Sequence, residues 1–278
     1  MGQSDGTVIG PQWVYRGRPN GPAWHVVIVA EGYTSRELGQ FATDATTLAN
    51  GILGAAPFSA FTNKINIARL DVASTQSGAD EPNRCSGTGN NWVSTYFDAT
   101  YCSSGIKRLL TVDRTLVRQT LIDQKMFFHD VIVLVNAAPY GGSGYAQVAV
   151  TSRFSFVEVA LHELGHSAFD LGDEYVENQG NYSGIEPAAA NLTTATNLAS
   201  LKWKSLVAGG TPIPTFRGPG CGQQQGVAPA AGVIGTFEGA DGYNCGLYRP
   251  AAECRMSDRA QPFCKVCQAR ISQKLGGF

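Results

Sequence analysis

Apolar residues fall first into short, unbroken runs along the chain. Residues 25–30 form one such run, and residues 131–135 within the segment 130–136 form another. Residues 65–72 are predicted as a further strand, although polar residues interrupt them. Unbroken apolar runs of this length are typical of strands that are covered on both faces of a sheet. The pattern therefore predicts three buried strands in the first half of the chain.

Helical periodicity fills the intervals between these runs. A turn at residues 31–34 ends the first strand, and Thr34 or Ser35 can cap a helix that continues to about Leu53. Residues 114–124 carry the period of a second helix.

A glycine-rich break at residues 141–144 precedes residues 145–151, which we expect to form an edge strand. A third helix is predicted at residues 157–171. Strands and helices in this order predict an α/β (α+β) fold on a mixed, twisted sheet.

The pattern becomes irregular after about Tyr182, except for short helices near residues 197–207 and 264–275. We expect one catalytic domain over residues 1–278. It would comprise a sheet-and-helix N-terminal lobe of about 1–175 and a loop-rich C-terminal lobe of about 176–278. A cleft would lie between the lobes.

Composition excludes several classes of protein. Apolar residues make up 43% of the chain and charged residues 15%, which is typical of a globular protein and not of a disordered one. The formal net charge of -1 gives no attraction to nucleic acid or to an anionic membrane surface. The apolar runs are also too short to span a bilayer. We expect neither a nucleic-acid partner nor a membrane span.

The cysteines favour an oxidising compartment. Five of the seven occur from Cys221 onward, where disulfides would help to hold a loop-rich region together. Cys85 could pair with Cys102, and the odd count leaves one thiol free or bound elsewhere. The first residues lack the basic start and apolar stretch of a signal peptide. We therefore expect a secreted or periplasmic protein whose signal peptide is absent from this sequence.

The helix predicted at residues 157–171 carries His-Glu-Leu-Gly-His, from His162 to His166. Residues four apart share a helix face at roughly 6 Å, so both imidazoles can bind one zinc ion. Glu163 lies about 100° around the helix, where its carboxylate can take the proton of a metal-bound water that attacks a carbonyl. Two histidines can share this spacing by chance, but the chain has only four histidines and two are here.

A catalytic zinc site needs a third protein ligand, and no histidine follows His166. Gly172 is suited to the left-handed residue that ends a helix, after which the chain can fold Asp173 back towards the metal. We therefore expect Asp173 as the third ligand, with Glu174 as the alternative.

Two further carboxylates are weaker candidates. Asp170 shares the helical stripe of both histidines but lies too far along the axis to share the ion, so we expect it to hydrogen-bond His166. Glu186 would suit an arrangement in which a more distant glutamate binds the metal.

The stretch from His162 to Tyr175 resembles the signature of the IgA peptidase family of zinc metallopeptidases, which carries HExGH, a short spacer and an Asp-Glu-Tyr end. The similarity covers most of the chain, from about Val26 to Cys267. Its other blocks are residues 28–34, 57–58, 66–74, 78–82, 254–256 and 262–267.

This resemblance implies a zincin or metzincin-like fold, one catalytic zinc ion and proteolysis outside the cytoplasm. It also implies that Met256 forms the methionine turn beneath the metal, although an ordinary core methionine would suit the sequence equally. Metzincins usually place a glycine three residues after the second histidine and the ligand three further on. Those places hold Phe169 and Gly172 here, so the spacer before Asp173 is one residue longer.

Cys264 and Cys267 form a Cys-x-x-Cys pair, which could be half of a second zinc site or a redox pair. No partner pair lies at a suitable spacing, so we expect disulfides to other cysteines of the C-terminal lobe. Acidic loops such as Asp80-Glu81 could hold a calcium ion.

Enzymes of this kind bind a polypeptide substrate as an added strand at a sheet edge. The edge expected at residues 145–151 would serve, with residues 141–144 giving backbone access, and a plain hairpin is the alternative. Tyr175 could stabilise the oxyanion through its phenol or could be a buried structural tyrosine. His25 and His129 flank strands, and we expect structural roles for them.

Together these residues predict a secreted zinc endopeptidase that acts as a monomer, with Glu163 as the general base. A non-catalytic module that binds protein or glycan on the same fold is one alternative, although it would have no use for Glu163. A zinc amidase that acts on cell-wall peptides is another.

Overall fold

The computed structural model describes residues 5–86, 90–177, 179–222 and 231–278. The chain divides into two compact units. The first is Met1–Ala168 with Phe278, and the second is Phe169–Gly277. This boundary falls a few residues before the lobe boundary of about 175 that the sequence indicates.

The first unit is built on a six-stranded mixed sheet. Its strands are β1 (Gly6–Arg16), β2 (Trp24–Glu31), β3 (Ile65–Ser74), β4 (Asp130–Val135), β5 (Gly142–Tyr145) and β6 (Val148–Ser152). In space they follow the order β1-β3-β2-β4-β6-β5. The four central strands are parallel, and β1 and β5 pair antiparallel at the two edges.

The three predicted buried strands are confirmed as β2, β3 and β4. Every residue of β4 is buried, and in β2 only His25 is partly exposed. Strands buried on both faces have no polar alternation, which is why unbroken apolar runs identified β2 and β4. Strand β1 was not predicted, because half-exposed and exposed residues alternate along it without an apolar run.

The edge strand expected at residues 145–151 is wrong in position. Strand β5 forms the edge, and β6 lies inside the sheet between β4 and β5. Ala146 and Gln147 join the two strands in a tight turn, with φ of 49° and 67°. The glycine-rich residues expected to break the chain therefore form the edge strand itself.

Helices of the first unit are α1 (Leu38–Gly54), α2 (Asn83–Ser86), α3 (Arg114–Asp123) and α4 (Phe156–Phe169). The prediction that Thr34 or Ser35 caps α1 is wrong, because Glu37 occupies the N-cap. The Glu37 carboxylate instead accepts hydrogen bonds from Thr34 N and Oγ1, at 2.8 and 2.7 Å. These bonds hold the turn that precedes the helix.

Glu31, the last residue of β2, is a fully buried carboxylate. Its two oxygens accept hydrogen bonds from the backbone amides of Phe97 and Ala99, each at 3.0 Å. Burial raises the pKa of Glu31 to about 7, although these amides and Thr95 act in the opposite direction. The residue thereby joins the sheet to the loop that precedes α3.

The predicted disulfide between Cys85 and Cys102 is confirmed in the first unit. It links α2 to the segment that precedes α3.

The second unit contains a two-stranded hairpin and one long helix. The elements are β7 (Phe237–Ala240), β8 (Tyr243–Arg249) and α5 (Lys265–Gly276), with short 3-10 turns at Leu198–Ser200 and Lys204–Leu206. Helix α5 confirms the helix predicted near residues 264–275. The hairpin was not predicted, although its Asp241-Gly242 turn, with φ of 49° and 80°, is a typical hairpin signal. A disulfide joins Cys221 to Cys245.

Within the described ranges, no helix has both the length and the apolar character needed to cross a membrane.

Candidate metal centre and active site

Helix α4 presents two imidazoles towards a common point. The Nε2 atoms of His162 and His166 lie 3.2 Å apart, and their rings are nearly perpendicular at 84°. Two nitrogens bound to one tetrahedral zinc ion would be separated by roughly 3.3 Å, given a Zn–N distance of about 2.0–2.1 Å. The two side chains therefore form a donor pair that suits a metal ion.

Glu163 follows His162 on the same helix and is buried. The edge strand β5 approaches it closely through two glycines. A Cβ atom on Gly142 would stand 2.8 Å from Glu163 Oε1, and one on Gly144 would stand 2.3 Å from the Glu163 carbonyl oxygen. The sequence thus brings strand and helix together by leaving out side chains between them.

Arg114, the first residue of α3, reaches the same region of the first unit. Its Nη2 donates to Ser143 Oγ at 3.2 Å, and its guanidinium lies 5.8 Å from the centre of the Tyr145 ring. Burial and Arg118 lower the pKa of Arg114, while Glu163 raises it. The guanidinium therefore lies within electrostatic range of the Glu163 carboxylate. Sequence reasoning missed this residue, because an arginine at a helix start carries no local signal.

Helix α4 ends two residues earlier than predicted, at Phe169. The left-handed residue is Asp170, with φ of 54°, and the expectation for Gly172 is wrong. The hydrogen bond expected between Asp170 and His166 stays a prediction. The Asp170 carboxylate is half exposed and forms ion pairs with Arg270 and Lys274 of α5. Partial burial raises the pKa of Asp170, but these two partners outweigh that effect and lower it.

Gly172 is required for close packing in the second unit. A Cβ atom there would stand 2.4 Å from Leu192 Cδ1. The side chain of Asn191 accepts from Gly172 N at 2.7 Å and donates to Gly172 O at 2.9 Å. Asn191 is fully buried, so this pair of bonds fixes the backbone just before Asp173.

The segment from Asp173 to Tyr175 is held by alternating backbone hydrogen bonds. The carbonyl oxygens of Asp173 and Tyr175 accept from the amides of Asp241 and Gly242, at 2.9 and 3.1 Å. Between them, Glu174 N donates to Met256 O at 2.8 Å on the other side. The hairpin turn of β7 and β8 and the Met256 backbone thus position both candidate residues.

Glu174, the alternative third ligand, lies in a different environment. Its carboxylate is buried beside three cysteines, with Cys267 Sγ 3.3 Å from Oε1. Burial raises the pKa of Glu174, and the Cys254 sulfur raises it further. Asn191 Nδ2 donates to the same oxygen at 2.8 Å.

The disulfides expected for Cys264 and Cys267 are wrong. Both thiols are free and buried, as is that of Cys254. The pKa of Cys264 is lowered to about 5, because hydrogen bonds from the Cys254 and Cys267 side chains stabilise its thiolate. Three buried thiols thus lie in one cluster, which their spacing along the chain did not indicate.

Glu186 is engaged elsewhere in the second unit. Its carboxylate accepts from Thr194 N and Oγ1 at 2.7 and 2.6 Å and pairs with Lys202 at 3.0 Å. Burial raises the pKa of Glu186, but these partners outweigh it and lower the pKa to about 2. The residue therefore serves to hold its own loop.

Met256 is completely buried, as either interpretation of the sequence would require. Its role beneath a metal stays a prediction. The calcium expectation at Asp80-Glu81 also stays a prediction. The Asp80 carboxylate accepts from Val93 N at 2.8 Å and from Thr100 Oγ1 at 3.4 Å, which gives it a structural role.

His25 and His129 belong to an aromatic cluster of the first unit. His129 Nδ1 accepts from His25 N at 2.9 Å, and both rings lie about edge-on to Phe127, with centres 5.2 and 4.9 Å away. Burial lowers the pKa of both histidines. These contacts suit the structural roles expected for them.

The predicted site residues thus occupy two consecutive segments. His162, Glu163 and His166 lie on α4 of the first unit, and Asp173 and Tyr175 lie on the following segment, in the second unit.

Sequence comparison places these residues in a known family. The model of the family described as IgA Peptidase M64 matches residues 15–218 and 224–275. No curated protein matches the chain. The family match includes every site residue discussed above and covers nearly the whole length. The chain therefore belongs to the IgA Peptidase M64 family.

Proposed function

We propose that this protein is a zinc-dependent endopeptidase that hydrolyses peptide bonds with Glu163 as the general base. The observation that carries the proposal is the 3.2 Å separation of the two imidazole nitrogens on α4, with Glu163 between their residues in sequence. Membership of a peptidase family supports the reaction class. When bound, zinc supplies a Lewis acid that polarises a carbonyl and makes water more acidic.

Asp173 is our candidate for the third ligand beside His162 and His166. Asp173 lies four residues beyond the end of α4, so the chain between the two can span at most about 14 Å. The other carboxylates of this region are occupied, which supports the choice. Glu174 lies among cysteines, and Glu186 pairs with Lys202.

Glu163 would accept a proton from the attacking water as its oxygen bonds to the substrate carbonyl carbon. The same carboxyl would then deliver the proton to the departing amine nitrogen as the carbon–nitrogen bond breaks. Its burial beneath the edge strand limits access of bulk water. Tyr175 would donate its phenolic hydrogen to the developing oxyanion, and Tyr175→Phe should then lower kcat with little change in KM.

Strand β5 is our candidate for the surface that receives the substrate. Ser152 N bonds to Gly141 O on the inner side of the strand, and Gly142 N bonds to Arg108 O on the outer side. Because an antiparallel strand alternates in this way, Gly144 turns its N–H and C=O outward. An extended peptide could pair with these groups beside Glu163.

Two disulfides support a location outside the cytoplasm, and we propose a secreted or periplasmic monomer.

The deciding experiment compares Glu163→Gln with the wild type for zinc content and for cleavage of casein and a peptide library. The variant should keep its zinc and lose activity by several orders of magnitude. Glu158→Gln is the matched control, because Glu158 is exposed on the same helix and should be dispensable. Wild-type activity in Glu163→Gln would refute the mechanism.

Two other outcomes would point to different functions. Tight binding of a protein or glycan without any turnover by zinc-loaded protein would indicate a binding module. Cleavage of peptidoglycan fragments, with proteins left intact, would indicate a cell-wall amidase.

A further inference from the structure

Four ligating side chains converge inside the second unit: Glu174, Cys254, Cys264 and Cys267. One ligand atom from each lies within 4.8 Å of all the others, and all four residues are buried. We propose that this Cys3Glu cluster, which we call the sulfur site, binds one structural zinc ion. The site shares no residue with the proposed catalytic centre and would exist whether or not the protein is a peptidase.

Distances within the sulfur site agree with tetrahedral zinc. Cys254 Sγ and Cys267 Sγ lie 3.6 Å apart, where two sulfurs on one zinc would be separated by roughly 3.8 Å, given Zn–S of about 2.3 Å. Cys267 Sγ lies 3.3 Å from Glu174 Oε1, where roughly 3.5 Å is expected for Zn–O of about 2.0–2.2 Å. Thiolate-rich tetrahedral sets select zinc over calcium and magnesium.

Glu174 supplies an independent indication of a ligand. Only 1% of the residue is exposed, and its Oε2 has no hydrogen-bond partner in the part of the chain that the structure describes. A buried carboxylate oxygen normally has a partner, because an unsatisfied one loses its hydration without compensation. A cation among the three sulfurs, bound by this carboxylate, would compensate for the missing partner.

Surrounding groups are those of a metal–thiolate site. Cys264 N donates to Cys254 Sγ at 3.3 Å, and Asn191 Nδ2 fixes Glu174 Oε1 at 2.8 Å. Such outer hydrogen bonds orient ligands. Arg249 lies within electrostatic range of Glu174 and Cys254, so its positive charge offsets part of the negative charge of the ligands.

A disulfide is the main alternative for two of these thiols. Bonded sulfurs lie about 2.05 Å apart, much closer than the 3.6 Å between Cys254 and Cys267. Pairing any two would also leave the third thiol and Glu174 buried together without a cation. One zinc ion would instead bind all four side chains at once.

The sulfur site would stabilise a unit that has little regular structure. It joins the segment of Glu174, the turn that contains Cys254 and Met256, and the start of α5. Glu174 N also donates to Met256 O, so metal and backbone would hold the same two segments. A metal that binds the folded state in this way contributes directly to folding.

Metal analysis of a His162→Ala/His166→Ala double variant tests the proposal apart from the proposed function. This variant should retain about one zinc ion per chain, held by the sulfur site. After exchange into cobalt(II), it should show thiolate-to-cobalt charge-transfer absorption in the near ultraviolet. A folded double variant without metal would overturn the sulfur site and leave the catalytic proposal intact.

The cobalt spectrum of the wild-type protein needs no substitution, so it decides the matter even if a variant fails to fold. Absence of the thiolate band there would overturn the proposal. Cys264→Ser should lose the band, whereas Cys221→Ala/Cys245→Ala, which removes a disulfide of the same unit, should keep it. A mass under non-reducing conditions that shows a third disulfide would also refute the sulfur site.

Discussion

A Cβ atom on Gly144 would stand only 2.3 Å from the carbonyl oxygen of Glu163. Strand β5 and helix α4 can therefore approach each other this closely only with glycine at that position. The contact sets the distance between the outward-facing backbone of β5 and the proposed general base. Small changes in this distance should affect catalysis more than folding.

Gly144→Ala should lower kcat/KM by roughly 10- to 100-fold, because a displacement of about 1 Å at a reacting group can have an effect of this size. The change in kcat/KM is measured from steady-state cleavage of a peptide substrate, and circular dichroism confirms that the variant is folded. Gly39→Ala is the control. Gly39 is exposed in α1, and nothing lies within 4 Å of an added Cβ. A folded Gly144→Ala enzyme as active as Gly39→Ala would contradict the prediction.

Arg114→Ala should lower kcat/KM by roughly 10-fold, since a hydrogen bond to a charged group contributes about 1.5–3 kcal/mol. The guanidinium bonds to Ser143 of the edge strand and lies in range of Glu163, so both alignment and charge would be lost. Lys107→Ala removes the same charge from an exposed position and should be silent. Equal effects of the two substitutions would show that only overall charge matters.

Asp173→Asn should reduce both zinc content and activity, because a neutral amide is a weaker ligand than a carboxylate. Asp170→Asn is a close control, since asparagine also tolerates the left-handed conformation at that position. Asp170→Asn loses the surface ion pairs to Arg270 and Lys274, which should change the free energy of unfolding by at most about 1 kcal/mol. Metal analysis after dialysis separates the two. If Asp170→Asn loses zinc and Asp173→Asn does not, the ligand assignment is wrong.

Stability should depend on Glu31 between about pH 4.5 and pH 7. Its pKa is raised to about 7 in the folded protein, so the folded state binds the proton more tightly than the unfolded state. The resulting stability is present at low pH and is lost as pH rises through this window, by about 3 kcal/mol. Glu31→Gln removes this titration. The Tm of the wild type should therefore fall relative to that of Glu31→Gln as the pH rises from 4.5 to 7.5. A difference in Tm that stays constant over this range would refute the prediction.

Local sequence signals predicted the parts of the fold that local interactions determine. Strands β2, β3 and β4 were predicted from their largely apolar segments, and the helix with His162 and His166 was predicted from helical periodicity. The turn between β5 and β6 could not be found in this way. Ala146 and Gln147 adopt positive φ there, where hairpin turns usually have asparagine or glycine. The turn is therefore held by the packing of β5 against α4 and not by the local conformational preference of its residues.

Partners far apart in sequence account for the other errors. Asp170 takes the left-handed conformation beside Arg270 and Lys274, about a hundred residues later. The buried cluster that surrounds Glu174 combines it with cysteines some 80 to 90 residues away. No spacing rule connects such positions, because only the folded backbone makes them neighbours.

The hydrogen bonds of Asp173, Glu174 and Tyr175 point to alternate sides of the segment, and we call this alternation its phase. Side chains on such a segment turn to opposite sides in succession, so two adjacent carboxylates serve two separate environments. Deleting one residue between Phe169 and Asp173 would invert the phase and exchange those environments while leaving the composition almost unchanged. The number of residues after α4 is therefore under a stricter constraint than their identity.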